Sequence, residues 1–346
     1  MAGSVCLVIT SIAGPTPALR SLAAEALESE TRFILVGDVS SPAWPELAGC
    51  DYYSLERQRE LPFELAALCP IGHYARKNLG YLVAMGAGAT VIVETDDDTI
   101  AQASFWTVGE RDPLVRSVVG ANGWVNVYRY FSEAMIWPRG LPLAEVRAVP
   151  PAYSSLPTGR IDCPIQQGLV DDDPDVDAIY RMLFELPFRF DRGEPVALTA
   201  GAWCPFNSQN TSWWSDAFPL MYLPASCSFR MTDIWRSFVA QRIAWANCWS
   251  ILFHAANVSQ NRNAHDLNQD FADEMHGYLE NDAIRAALDT LEIAPGPAHL
   301  SDNMRRAYEL LVARGWLHES ELALVEAWLA DVENLRSRPP AVAVER

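Results

Sequence analysis

The chain has 346 residues, of which half are apolar and 20% are charged. This length and composition allow a large hydrophobic core, in one large domain or two fused ones, and exclude a disordered protein. The formal net charge of -18 repels DNA and anionic membranes, so no nucleic-acid partner is expected. An enzyme of this charge that binds a diphosphate needs local positive charge from a divalent cation, from Arg or Lys, or from a helix N-terminus.

Cysteine usage and hydropathy bear on the compartment. The seven cysteines are scattered, odd in number and without a C-x-x-C pair, which argues against a zinc site or a disulfide framework and favours reduced thiols in a cytoplasm. No basic segment precedes the apolar run 5–9, so no signal peptide is expected. No apolar run reaches 18 residues, so no transmembrane segment is expected, and residues 243–258 are interpreted as a buried helix.

The first hundred residues alternate buried strands with amphipathic helices. Strands are predicted at 4–10, 31–36 and 89–93, and helices at 17–29 and 73–86. Strands and helices that alternate over short connections indicate an α/β fold with a mainly parallel central sheet flanked by helices.

The rest of the chain is predicted to add extended and helical segments. Residues 110–170 indicate strands and long loops, 175–183 a helix, and 195–230 an extended aromatic region. Helix is expected from Asp233, and two closing helices at 301–315 and 320–335. We therefore divide the chain into a catalytic domain, 1–280, a helical extension, 281–336, and a flexible tail, 337–346. Within the catalytic domain, 1–110 is the nucleotide-binding half and 111–280 the acceptor or sugar half.

Three polar clusters fall at the carboxyl ends of predicted strands: Thr10-Ser11, Gly37-Asp38 and 95–98. Open parallel sheets bind ligands at this edge. Asp96 and Asp98 share a face if the segment is extended, and two close carboxylates attract Mg²⁺ or Mn²⁺. The alternative is a solvated turn with a helix cap.

Basic side chains precede this cluster, and a second acidic triplet follows it. Arg76 and Lys77 lie in the predicted helix at 73–86, where they either face a diphosphate or form a solvated helix surface. Residues 171–173 are also three aspartates, but Pro174 and a helix follow them directly. We interpret that second triplet as an N-terminal cap.

The later motifs are polar and aromatic. Asn207, Gln209, Asn210 and Trp213 suit a sugar pocket, or a buried loop that satisfies its own backbone. Asp233 opens a helix, either as its cap or as a general base. Arg262 suits phosphate. His265 is a further metal-ligand candidate, although a single histidine more often has a structural role.

Six segments in this order resemble the STELLO-type glycosyltransferase-like family, over roughly residues 70–275. They are ARKNLGY (75–81), ETDDD (94–98), QGLVDDDPDVDAIY (167–180), PFNSQNT (205–211), DIWR (233–236) and QNRNAH (260–265). Residues 229–235 are also similar to plant UDP-arabinopyranose mutases, which are related to reversibly glycosylated proteins.

The resemblance implies a GT-A-like nucleotide-sugar fold in which a DXD motif holds the metal and the donor diphosphate. It places Asp96 and Asp98 at the metal and Asp97 near the donor, and it favours Asp233 as an acceptor contact. We assign Arg230 and Arg236 to substrate binding. No membrane anchor is found, so we expect a cytoplasmic bacterial enzyme of surface-polysaccharide biosynthesis, with peripheral attachment at the inner membrane left open.

The resulting hypothesis is a transferase that moves a hexosyl or pentosyl unit from a nucleoside diphosphate donor, expected to be UDP-linked, to a glycan or lipid-linked acceptor. Thr10, Ser11 and Asp38 hold the nucleoside, Mn²⁺ or Mg²⁺ is the cofactor, and Arg76, Lys77 and Arg262 add positive charge. Asp233 is the base if the reaction inverts the anomeric centre and an orienting residue if it retains it. A nucleotide-sugar mutase or self-glycosylating protein, a non-catalytic scaffold and a homodimer all stay open.

Overall fold

The structure is a computed structural model that describes residues 4–44, 46–262 and 266–337. Its strands are β1 (Val5–Thr10), β2 (Arg32–Val36), β3 (Cys50–Tyr53), β4 (Val91–Thr95), β5 (Thr99–Ala101), β6 (Leu114–Val118), β7 (Gly123–Trp124), β8 (Thr158–Arg160), β9 (Ile165–Asp171), β10 (Val196–Leu198), β11 (Ala202–Trp203), β12 (Asn210–Trp214) and β13 (Ile251–Gln260). Its α-helices are α1 (Pro17–Glu28), α2 (Leu55–Arg59), α3 (Glu64–Leu68), α4 (Lys77–Gly86), α5 (Ala178–Leu183), α6 (Thr232–Ala246), α7 (Leu267–Thr290), α8 (Leu300–Ala313) and α9 (Glu321–Arg336). Short 3-10 helices occur at Tyr74–Arg76, Ala103–Trp106, Val127–Tyr130, Tyr153–Ser155, Ser215–Met221 and Pro297–His299.

Within the described residues one large sheet has 11 strands, in the order β3-β2-β1-β4-β12-β9-β13-β10-β6-β8, with β5 paired to β13. The four neighbouring strands β3, β2, β1 and β4 are parallel to one another. This parallel half and the helices packed on it confirm the expected α/β fold class with a central sheet flanked by helices.

The second half of the sheet is mixed rather than parallel. β12 runs antiparallel to both β4 and β9, whereas β13 is parallel to β9. The interpretation of residues 243–258 as one buried helix is wrong, because α6 ends at Ala246 and β13 begins at Ile251. Cys248 has a positive φ of 58°, which breaks the helix, and the following run pairs deep within the sheet.

The strand pattern of the first half follows the sequence closely, but β3 was not predicted. Its four residues include Asp51, and only Tyr53 is buried, so it lacks the apolar run that marks the other parallel strands. Tertiary pairing with β2 makes it a strand. The second acidic triplet does not cap α5, since Asp177 is the N-cap and accepts from the Tyr180 amide. Asp173 instead pairs with Arg181.

The C-terminal helices close the same core that the sheet forms. The Asp331 carboxylate accepts the amides of Glu64 and Leu65 at 2.9 Å each, which ties α9 to the first turn of α3. The domain division stays a prediction, and α7 runs through its boundary at residue 280. None of the described helices is long and apolar enough to cross a bilayer.

Close packing of α4 on the parallel strands gives a stability test. A Cβ on Gly80 would lie 2.6 Å from Val8 and 2.8 Å from Val36, whereas a Cβ on Gly86 would meet Leu335 at an ordinary 3.5 Å. Gly80→Ala should lower the free energy of unfolding by about 1–3 kcal/mol through overpacking. Gly86→Ala, in the same helix, should be neutral or stabilising. Urea unfolding of both variants measures the difference, and equal effects would contradict this packing.

Candidate active site

A cavity of about 380 Å³ lies at the carboxyl ends of β1, β2 and β4. Most of the residues proposed from the sequence line it. They are Thr10, Ser11, Asp38, Arg76, Asp96, Asp97, Asp98, Gln209, Arg230, Asp233 and Arg262. The fold therefore brings together segments that lie more than 200 residues apart in the sequence.

The acidic triplet forms a turn rather than an extended segment. β4 ends at Thr95, residues 97 and 98 are in a turn, and β5 starts at Thr99. Asp96 and Asp98 therefore do not share a face through strand alternation, because side chains alternate in this way only in an extended strand. The turn instead presents all three carboxylates to the cavity.

Two side chains, those of Tyr74 and Lys77, contact the Asp96 carboxylate from the protein interior. The Tyr74 hydroxyl lies 3.1 Å from its Oδ1 atom and 2.7 Å from Ser208 Oγ, and Lys77 Nζ lies 3.8 Å from the same carboxylate. Asp96 keeps 31% of its side chain exposed. Its pKa is nevertheless raised to about 7 by burial, against the lowering effect of Lys77, and by the charges of Asp98 and Asp97. Carboxylates that repel one another in this way favour a cation between them.

The other two members of the triplet have different partners. The Ser11 hydroxyl donates to Asp97, whose pKa is raised by burial. The Gln260 side-chain amide donates to Asp98 Oδ1, since the pairing of β5 with β13 sets Gln260 opposite Thr99. Asp97 thus faces the nucleotide-binding half of the chain and Asp98 the second half.

Asp38 shapes the loops at the ends of β1 and β2. Its carboxylate accepts the amides of Gly72 and His73 at 2.9 Å each, together with that of Val39. The loop after β2 is thereby fixed to the segment before α4. Asp38 lines the cavity, but much of its hydrogen-bonding capacity serves the backbone.

Arg76 and Lys77 do not form a solvated helix surface, and of the two only Arg76 lines the cavity. Lys77 is the only lysine in the sequence and is fully buried, where its Nζ donates to Thr95 O and Tyr74 Oη at 2.8 Å each. Arg76 lines the cavity and is nearly buried, and it donates to Gln58 Oε1 at 2.7 Å and to the Cys69 carbonyl at 3.0 Å. Lys77 therefore contacts Asp96 from the protein interior and does not reach the cavity, where a diphosphate would bind.

Asp233 is held by a bidentate ion pair. Arg139 donates to both of its oxygens at 3.1 and 3.0 Å, and the Ser208 amide donates to Oδ2 at 3.1 Å. The Arg139 charge and these hydrogen bonds outweigh burial and lower the pKa of Asp233 to about 2. A carboxylate with this pKa is a weak proton acceptor at neutral pH. The geometry therefore favours the orienting role over the general-base role, and α6 has no side-chain cap from Asp233.

Arg139, Arg230 and Arg262 line the cavity beyond Asp233 and form its arginine wall. Each of them is paired with a carboxylate. Arg139 also binds Asp175, Arg230 donates to Glu274 Oε1 at 2.9 and 2.7 Å, and Arg262 pairs with Asp270 at 3.2 Å. The pKa of Arg262 is lowered to about 10 by burial and by the charges of Arg230 and Arg181. This side of the cavity presents guanidinium groups, each paired with a carboxylate, opposite the acidic triplet.

Four residues proposed for the sugar pocket do not line the cavity, namely Asn207, Asn210, Trp213 and Arg236. Trp213 and Arg236 are fully buried against Glu94: the Trp213 indole donates to Oε1 at 2.8 Å, and Arg236 lies 2.8 Å from the same oxygen. Asn210 donates to Leu169 O and Asn257 Oδ1. Asn207 Oδ1 accepts the Gln209 amide at 2.9 Å. These side chains lie in the core and hydrogen-bond to other groups of the chain, as the buried-loop alternative describes, although Asn210 and Trp213 belong to β12 and Arg236 to α6.

Several cavity residues were missed, notably His73, Tyr74, Arg139, Ser208, Phe229 and Gln260. Phe229 is 54% exposed within the cavity, and its ring lies 5.4 Å from that of Tyr74. Tyr74, Ser208 and Gln260 lie close in sequence to residues that were proposed, so their position in or next to the same motifs could have identified them. Nothing in the local sequence distinguished Arg139 from other surface arginines.

The donor chemistry of the triplet fits a hard divalent cation only in part. Among the described residues no group of three or more His, Cys, Asp or Glu side chains is arranged to hold a metal ion. His265, the proposed additional ligand, lies outside the described residues. Mg²⁺ and Mn²⁺ are commonly held by one or two carboxylates with phosphate oxygens and water, and the repelling carboxylates of the triplet fit that arrangement.

Fold and cavity together define an α/β protein with an acid-rich cavity at the ends of its parallel strands. Residues 230–345 match the family model "STELLO glycosyltransferases". The Arabidopsis thaliana protein described as "Probable glycosyltransferase STELLO2" is 34% identical over 233 residues, which are 61% of this chain and 30% of that protein. STELLO1 from the same plant is 32% identical over 232 residues, with the same coverage. The resemblance to STELLO-type glycosyltransferases is confirmed, and the chain spans about a third of these relatives' length.

Solved structures show only a distant likeness. A mycobacterial protein matches with a TM-score of 0.39, over 82% of this chain and 75% of that one. The glucosyl-3-phosphoglycerate synthase of M. tuberculosis matches with a TM-score of 0.38, over 82% of this chain and 81% of that one. Sequence identity is 11% in both cases.

The buried Lys77 gives the prediction for this site. Lys77→Gln leaves Asp96 without its cation and the Thr95 carbonyl without its charged donor, so the free energy of unfolding should fall by about 3–5 kcal/mol. Arg57→Gln, which removes one partner of a more exposed pair with Asp51, should cost less than about 1 kcal/mol. Chemical denaturation measures both, and a Lys77 variant as stable as the Arg57 variant would refute the supporting role.

Proposed function

We propose that this chain is a metal-dependent glycosyltransferase that takes a sugar from a nucleoside diphosphate donor. The observation that carries the proposal is the convergence of three carboxylates at the end of β4 with an arginine wall across one cavity. Acids that favour a divalent cation and guanidinium groups that favour phosphate oxygens together match a pyrophosphate-metal complex. The sequence relatives support the same class of reaction.

The donor nucleoside is assigned to the side of the cavity formed by Thr10, Ser11 and Asp38. Ser11 and Asp38 lie at the carboxyl ends of neighbouring parallel strands, where α/β sheets bind nucleotides. Ser11 also donates to Asp97, so a direct hydrogen bond connects the nucleoside side to the acidic triplet. UDP is the expected nucleotide.

Asp96 and Asp98 would hold Mn²⁺ or Mg²⁺, and His265 stays a candidate for the same role. When bound, the ion supplies a positive charge that stabilises the departing diphosphate. The chain's own part is to fix the two carboxylates through Tyr74 and Gln260. Lys77 limits the repulsion at Asp96 without occupying the cavity.

The transferred sugar and the acceptor are assigned to the opposite side. Arg230 and Arg262 bring guanidinium groups there, Gln209 offers its Oε1 atom as an acceptor, and Phe229 offers an exposed aromatic face next to Tyr74. Asp233 holds Ser208 and Arg139 in place and orients the acceptor rather than accepting its proton. A glycan or lipid-linked acceptor in bacterial surface-polysaccharide assembly is part of the proposal. A cytoplasmic location is supported by seven cysteines that are all unpaired.

Ligand-dependent stabilisation tests the donor assignment. UDP with Mn²⁺ should stabilise the protein, by about 2.7 kcal/mol at a hundredfold excess over Kd, whereas UDP alone should give a smaller shift. Asp98→Asn should abolish the metal-dependent part of the shift. Differential scanning fluorimetry with UDP, GDP, ADP and CMP, each with and without Mn²⁺, is the measurement.

The second acidic triplet supplies the matched control for that experiment. Asp172 lies outside the cavity, pairs with Arg189 and has a φ of 68°, a conformation that asparagine tolerates. Asp172→Asn should leave the nucleotide shift intact. A flat response to all four nucleotides, or an equal loss in both variants, would remove the support for a nucleotide-metal site and favour a non-catalytic scaffold.

Phe229 tests the sugar side. Phe229→Ala removes a stacking face worth about 0.5–1.5 kcal/mol, so the KM for the donor or the acceptor should rise by up to about tenfold. The melting temperature should change little, because the ring is half exposed. Phe229→Tyr should retain the parent KM. UDP release from UDP-sugars measures this, and an unchanged KM in the alanine variant would place sugar binding elsewhere.

The same assay distinguishes the rival activity. A mutase or self-glycosylating protein converts UDP-sugar without an added acceptor, and self-glycosylation adds one sugar mass to the protein. Intact-protein mass spectrometry after incubation with each UDP-sugar reports that adduct directly. An unmodified protein that requires an acceptor supports the transferase.

A further inference from the structure

The first four turns of α7 have their polarity reversed relative to an ordinary surface helix. The inner face buries Asp270, Glu274 and Asn281, whose partners are Arg262, Arg230 and Trp235. The outer face exposes Phe271, Met275 and Leu279, with 37%, 36% and 67% of each residue in water. A helix that faces only solvent carries polar residues outward, so this outer face indicates a partner.

The exposed residues form one continuous line along the helix. Phe271, Met275 and Leu279 are four residues apart and therefore lie above one another on the same side. α5 packs against α7, where its Ala178 amide donates to Glu274 at 2.8 Å, and it ends in the exposed Met182, Leu183 and Phe184. We name these six residues the α7 face.

We propose that the α7 face is a two-fold interface between two copies of this chain, with the two α7 helices antiparallel and crossing at Leu279. The six side chains leave on the order of 500 Å² of apolar surface in water, which is the size of the largest and often functional patch on a monomer and more than half of the roughly 800 Å² that each partner buries in a standard interface. A two-fold axis uses the same patch twice, so no second apolar surface is required.

The residue pattern along α7 suits that axis. Ala272 and Ala286 lie seven residues to either side of Leu279, and Met275 and Ala283 lie four residues to either side, all of them exposed. An antiparallel pair centred on Leu279 sets Met275 of one protomer against Ala283 of the other, and Ala272 against Ala286. Large side chains thus meet small ones, which allows two helices to approach closely.

A lipid surface is the less suitable occupant. Interfacial helices are rich in Lys and Arg on their polar side, whereas the exposed residues of α7 between 268 and 286 include neither. The net charge of -18 would also oppose contact with anionic lipids. The same charge repels a second copy, so the dimer should be weaker at low ionic strength and stronger when salt screens the repulsion.

Sedimentation velocity across a concentration series, at low and high salt, tests the proposal. The parent protein should dimerise with a Kd that falls as salt rises. Leu279→Glu places two carboxylates on the axis and should raise that Kd by about a hundredfold or more. Leu27→Glu, at a leucine of α1 that is 63% exposed, should leave the Kd unchanged. Circular dichroism verifies that both variants are folded.

A second variant keeps the test decisive if Leu279→Glu does not fold. Leu279→Cys should form a crosslinked dimer under mild oxidation, because the axis brings the residue next to its own copy, whereas Leu27→Cys should not. A parent that is monomeric at all concentrations, or a dimer that Leu279→Glu leaves intact, would overturn the proposal. So would a monomer that floats with neutral phosphatidylcholine vesicles and loses that binding in Leu279→Glu.

Discussion

The buried ion pair between Glu94 and Arg236 is the contact on which the cavity depends. Both side chains are fully buried, and Arg236 reaches both carboxylate oxygens at 2.8 and 3.0 Å. Glu94 precedes the acidic triplet by two residues, and Arg236 lies one turn after Asp233 in α6. The pair therefore fixes β4 to α6 and, with them, the two sides of the cavity. A buried pair is stable only when further groups satisfy it, as the hydroxyl of Tyr81 and the indole of Trp213 do here.

Charge is distributed so that an acidic chain can hold an anionic ligand. Burial raises the pKa of Asp96 and repulsion from Asp98 and Asp97 adds to that shift, whereas burial lowers the pKa of Arg262 and repulsion from Arg230 and Arg181 adds to that one. A metal-bound diphosphate would relieve both repulsions. Tyr74 and Ser208 connect the two sides, because Ser208 hydrogen-bonds both the Tyr74 hydroxyl and the Asp233 carboxylate. The cavity is thus a single polar network rather than two independent sites.

α7 links this network to the surface. Its inner acids hold Arg230 and Arg262, and its outer apolar side chains form the α7 face. Acids buried on a helix are costly unless they are paired. The cavity arginines therefore stabilise the inner acids of α7, and the same ion pairs hold these arginines at the cavity. A partner on the outer face would stabilise the helix that positions the arginine wall.

The amino-acid sequence alone predicts three of the four strands of the parallel half and the place of the acidic triplet, because apolar runs and helical periodicity are local properties. It also identified most of the cavity residues, since strand ends converge in any parallel sheet. Which polar residues line the cavity depends instead on tertiary packing. Trp213 and Arg236 stand in motifs as polar and aromatic as those of Gln209 and Arg230, but pairing with Glu94 draws them into the core. Burial depends on partners distant in sequence, such as Arg139 for Asp233, and no local pattern records those partners.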